Sequence, residues 1–72
     1  MKAGYEQRVF VNGAARTVDD GTTIGDLIAE HGAANDGVAA ALNGAVIAKN
    51  AWATTPVANG DRLEILTAAP GG

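Results

Sequence analysis

Two of the three Asn-Gly dipeptides in this chain, Asn12-Gly13 and Asn43-Gly44, constrain its fold more than any other feature. A type I′ hairpin turn needs positive φ at both central residues, and Asn followed by Gly meets that demand at low steric cost. Each dipeptide is flanked by short runs of strand character. Two hairpins are therefore predicted, Gln7 to Val11 returning as Ala14 to Val18, and Val38 to Leu42 returning as Ala45 to Ala48. In a chain of 72 residues, which buries only about 60% of its unfolded surface, there is little room for an enclosed active site as well.

Between the hairpins, Asp19, Asp20 and Gly21 mark the end of the first. Thr23 followed three residues later by Asp26 resembles a capping box, with Asp in place of the usual Glu or Gln. Ile24, Leu27, Ile28 and His31 then recur at helical spacing, and Gly32 stands where a left-handed C-terminal cap belongs, which predicts a helix of about two turns. Lys49 to Asn59 has no clean period and contains Trp52 and Pro56, so it reads as an irregular or short helical connection closed by the Asn59-Gly60-Asp61 turn. Arg62 to Thr67 is the last strand, and Ala68 to Gly72 a flexible tail.

Side chains alternate across a strand, so Val9 and Val11 share one face and Arg8 and Phe10 the other, with the valines toward the core. In the last strand Leu63 and Ile65 share a face opposite Arg62, Glu64 and Leu66. This order of elements suits an α+β domain with a mixed sheet of four to five strands and one main helix packed across it. With no repeat or linker, residues 1–72 read as a single domain.

Composition excludes several classes of function. There is no cysteine, hence no disulfide framework, thiolate metal site or cysteine nucleophile, and His31 is the sole histidine where a zinc site would collect three or four ligands. A net charge of −3 with a pI near 4.7 offers nucleic acid no basic surface and favours protein partners with basic docking surfaces. No apolar run approaches the roughly 20 residues that span a bilayer, and no signal-peptide layout opens the chain, so a cytoplasmic location is expected. Gly13, Gly21, Gly44 and Gly60 sit at separate turns without the spacing of a phosphate loop. Asp19, Asp20 and Asp61 read as turn residues, His31 as a helix-end residue and Trp52 as a packing plug.

The ordered set of motifs carries a resemblance. Val11-Asn12-Gly13, Asp20-Gly21-Thr22-Thr23-Ile24 leading into Asp26-Leu27-Ile28, Ala41-Leu42-Asn43-Gly44 with Val46-Ile47, Trp52-Ala53-Thr54-Thr55-Pro56, Asn59-Gly60-Asp61-Arg62-Leu63-Glu64-Ile65 and Gly71-Gly72 follow one another from Val9 onward. Together they resemble the ThiS family of β-grasp, ubiquitin-like sulfur carriers of thiamin biosynthesis. The segment from Met1 to Arg8 is longer than the usual start, and Pro70 departs from the usual tail.

The resemblance implies a carrier acted on by partner enzymes and not an enzyme itself. A ThiF-like adenylyltransferase would use ATP, which the carrier does not itself bind, to convert the Gly72 carboxylate into an acyl adenylate. A sulfur-donor protein would turn the adenylate into a thiocarboxylate, and a ThiG-like thiazole synthase would receive the sulfur. Gly71 and Pro70 would enter the partner's active site, where glycine's missing Cβ suits a narrow channel. Phe10 and Leu66, on the face opposite the proposed core, could form an apolar docking spot if their strands are neighbours, with Arg62 and Glu64 adding charge. The rival readings are a MoaD-like small subunit of molybdopterin synthase and a plain ubiquitin-like binding module.

Overall fold

Asn12 and Asn43 stand at φ 50° and 52°, followed by Gly13 and Gly44 at 84° and 86°, so both dipeptides form the tight turns that the sequence predicts. The computed structural model describes residues 6–32 and 37–67. Around the first turn, β1 (Glu6–Val11) pairs antiparallel with β2 (Ala14–Asp19), from Val11↔Ala14 to Glu6↔Asp19. Around the second, β3 (Val38–Leu42) pairs antiparallel with β4 (Ala45–Ile47). Three strand ends differ by one residue from the sequence reading. The clearest is at Ala48, which leaves β4 to become the extended residue leading into a 3₁₀ helix (Lys49–Thr54).

The helix α1 (Ile24–His31) begins at a true capping box. The Thr23 hydroxyl accepts from the Asp26 amide at 3.1 Å, and the Asp26 carboxylate accepts from the Thr23 amide at 3.0 Å. Two otherwise orphaned N–H groups are thereby satisfied. At the other end Gly32 adopts φ 82° and donates to the Ala29 carbonyl, closing the helix where the glycine predicts. The start of α1 is also tied to the segment after the 3₁₀ helix, since the Ile24 amide donates to the Thr55 carbonyl and the Val57 amide to the Thr22 carbonyl, each at 2.9 Å.

The last strand, β5 (Arg62–Thr67), runs up the middle of the sheet, whose order is β2-β1-β5-β3-β4. It lies parallel to β1 and antiparallel to β3, which makes the sheet mixed. One face carries the core: Val9, Val11, Ala40, Leu63 and Ile65 from the strands meet Ile24, Leu27 and Ile28 from α1. Trp52 fills the flank, buried, with its indole N–H donating to the Ile47 carbonyl at 3.0 Å, so its polar edge is satisfied. His31, though in step with the buried helical positions, is exposed. Five strands in a mixed sheet with one helix across it form the β-grasp fold.

Candidate functional site

The face of the sheet turned away from α1 is built by the strand alternation that buries the valines on the other side. Phe10, Arg62, Glu64 and Leu66 all occupy this open face. Register decides which of them meet. Phe10 stands opposite Arg62 in the parallel β1–β5 pair. Leu66 lies four residues further along β5, about 13 Å from Arg62 at the usual strand rise, and faces Ala39 of β3 instead.

The open face therefore has two parts. Beside the first turn, Phe10, Gly13, Arg62, Leu63 and Glu64 line an open groove of about 380 Å³. Beyond it, Leu66 and Val46, 64% and 80% exposed, are among the described residues the large apolar side chains most open to solvent, and Ala39 and Ala41 lie on β3 between their strands. The sequence reading missed Val46, Ala39 and Ala41. A three-residue strand such as β4 carries too little alternation to mark its outward face.

Position on the groove side is held by side-chain amides. The Asn12 carboxamide accepts from the Ile65 amide at 2.8 Å and donates to the Ile65 carbonyl at 3.2 Å. Asn43 does the same work at the start of β5, accepting from the Arg62 amide at 2.9 Å through its side chain while its own backbone amide donates to the Arg62 carbonyl at 2.8 Å. Its Nδ2 then donates to Asp61 at 2.9 Å. Asp61, a turn residue in the sequence reading, accepts from the Ala58 amide at 2.7 Å through its other oxygen, which accounts for both carboxylate oxygens structurally. Asn59 receives the Arg8 amide at 2.7 Å, and Gly60 donates back to the Arg8 carbonyl.

Among the described residues, no group of three or more His, Cys, Asp or Glu is placed to hold a metal ion, and no helix is long and apolar enough to cross a membrane. The open face offers apolar contact flanked by the charges of Arg62 and Glu64, with Arg8 on the same face of β1 as Phe10, a surface suited to protein contact. Pro70, Gly71 and Gly72 lie outside the described residues.

Comparison with known families places this geometry. The model of the ThiS family matches residues 9–72. The chain belongs to the ThiS family. The matched span opens inside β1 at Val9 and continues through Gly71-Gly72. The fold of this ThiS-family chain is similar to a solved structure of a thiamine biosynthesis protein (ThiS) from Geobacter metallireducens, with a TM-score of 0.73 and 32% identity over 92% of this chain and 100% of that one. No curated protein matches the chain significantly.

Proposed function

We propose that this ThiS-family chain is a sulfur carrier of thiamin biosynthesis whose reacting group is the Gly72 carboxylate. The observation that carries the reading is the family match, which spans the β-grasp body and runs on to Gly72. The similar solved structure, that of a thiamine biosynthesis protein (ThiS), supports the pathway.

A carboxylate is a poor acyl electrophile. A partner adenylyltransferase would let a Gly72 oxygen attack the α-phosphate of ATP, releasing pyrophosphate and leaving an acyl adenylate. A persulfide sulfur on a donor protein would then displace AMP to give an acyl disulfide. Attack of a second thiolate on the donor's own sulfur would release the terminal thiocarboxylate and leave a disulfide behind; the thiocarboxylate then hands its sulfur to thiazole synthase. The carrier contributes the reacting terminus and a docking surface, and the partners contribute catalysis. Residues 68–72 act as the tail that reaches into them, with Pro70 stiffening the approach and Gly71 forming its narrow neck. The open face beside β5, with Phe10, Arg62, Glu64 and Leu66, docks the partners, in the cytoplasm.

Intact-protein mass spectrometry tests this after incubation with ATP, the adenylyltransferase and a sulfur donor. Wild-type chain gains the mass difference of one oxygen replaced by sulfur, localised to Gly72, and a chain lacking Gly72 gains nothing. If partners of demonstrated activity yield neither adenylate nor thiocarboxylate, the reading fails and a ubiquitin-like binding module takes its place.

A further inference from the structure

The two flanks of β5 are unequal. On one side β3 accompanies it from Leu42↔Leu63 to Val38↔Thr67, the full run of the strand from Leu63 on. On the other side β1 stops at Val11↔Leu63, because the chain turns away at Asn12-Gly13 into β2. A sheet edge would open at that point along β5, with the Ile65 N–H and C=O left without a strand partner. The Asn12 carboxamide fills the gap: Oδ1 accepts from the Ile65 amide and Nδ2 donates to the Ile65 carbonyl, while the Asn12 backbone amide donates to the Leu63 carbonyl at 2.9 Å. A carboxamide has the donor and acceptor of a peptide group, so Asn12 prolongs the β1 ladder while its main chain departs. Ile65 lies two residues before Thr67, where β5 ends.

We propose that Asn12 is a positioning residue for loading of the carrier. By holding β5 on its β1 side, its carboxamide fixes the direction in which the strand delivers the residues after Thr67 to the adenylyltransferase. The proposal rests on the sulfur-carrier reading. Acyl activation requires the carboxylate to meet ATP in a narrow range of geometry, and small displacements of a reacting group are costly. A strand held from both sides swings less than one held only by β3.

Two substitutions isolate the carboxamide from the turn. Asn12→Gly keeps the positive φ without strain and removes both side-chain bonds to Ile65. Asn12→Asp keeps the acceptor for the Ile65 amide but sets a second acceptor against the Ile65 carbonyl, and it remains available if the glycine variant folds poorly. Val18→Ala, in the core on the outer strand β2, which pairs with β1 and not with β5, serves as a control that lowers stability and leaves the hydrogen bonds of β5 in place.

The experiment varies carrier concentration in the adenylation assay and follows backbone amide exchange by NMR. Asn12→Gly is expected to raise KM for the carrier about three- to tenfold while kcat changes less than about twofold, since it alters presentation and leaves the reacting group intact. Exchange at the Ile65 amide accelerates, Asn12→Asp falls between wild type and glycine, and Val18→Ala leaves KM unmoved. A wild-type KM in Asn12→Gly, or an equal rise in Val18→Ala, overturns the positioning role while the carrier reading stands. A wild-type chain that active partners never adenylate overturns the carrier reading, and the positioning role falls with it.

Discussion

Asn12 and Ile65, 53 residues apart in the chain, exchange two hydrogen bonds through the Asn12 side chain, at 2.8 and 3.2 Å. The residue that makes the first hairpin turn thus also holds the strand that leads to the terminus. Asn43 has the same double duty at the other end of β5, where it meets Arg62 and Asp61. The two turns that shape the sheet are its two clamps on the central strand.

That double duty separates two costs at Asn43. Asn43→Gly keeps the φ of 52° and loses the side-chain bonds, for an expected destabilisation of about 1 kcal/mol at this exposed site. Asn43→Ala loses the same bonds and keeps a Cβ in the left-handed region without the polar side chain that lets Asn tolerate it, which adds about 1 kcal/mol relative to glycine. Urea unfolding of both variants checks the order: alanine is the less stable, and equal midpoints would show that the turn conformation carries no strain.

The helix cap gives a cooperative pair. Thr23→Ala and Asp26→Ala are each expected to cost about 1 kcal/mol, because each removes one of the reciprocal bonds at the start of α1. The two side chains support one another, so the double variant should lose less than the sum of the singles. Thermal or urea unfolding of the four-member cycle reads this directly, and strict additivity would mean that the two bonds form independently.

What the sequence made legible follows the range of the forces involved. Turns at Asn12-Gly13 and Asn43-Gly44, the cap at Thr23 and the stop at Gly32 are set by neighbours within about four residues, and each stands where the local chemistry asks. Alternation likewise assigns Phe10 and Leu66 to one face. It says nothing of register between strands brought together from distant parts of the chain, and register is what parts Phe10 from Leu66 and sets Asn12 against Ile65. Val46 escaped for a related reason, since three residues are too few to show a period. The reading of Gly71-Gly72 rests on chemistry alone, a slender chain end that the proposed reaction needs, and the two residues lie outside the described residues.

Gly25 offers a stabilising change. It lies in the first turn of α1 at an ordinary helical φ, and a Cβ built there would meet the backbone of Trp52 and Ala53 at 3.5 Å, a normal van der Waals approach. Gly25→Ala should therefore raise stability by about 0.5 kcal/mol, by reducing the freedom of the unfolded chain without a clash. A lowered urea midpoint would show that the 3₁₀ helix cannot tolerate even this contact.

The open face separates stability from recognition. Leu66 and Val46 make little use of the core, so Leu66→Ser and Val46→Ser are each expected to change unfolding free energy by less than about 0.5 kcal/mol. Leu27→Ala, fully buried against the sheet, should cost about 2 to 5 kcal/mol. If the face docks the adenylyltransferase, the ranking inverts for binding. Leu66→Ser then weakens association about tenfold, as loss of an apolar contact at an interface of this kind does, and the effect is larger than for Val46→Ser because Leu66 lies on the strand that carries the tail. Calorimetric titration of each folded variant with the partner measures both. Undiminished affinity in the double Leu66→Ser, Val46→Ser variant would move the docking surface to the Phe10, Arg62 and Glu64 groove, where Phe10→Ala and Arg62→Ala would then have to show the loss.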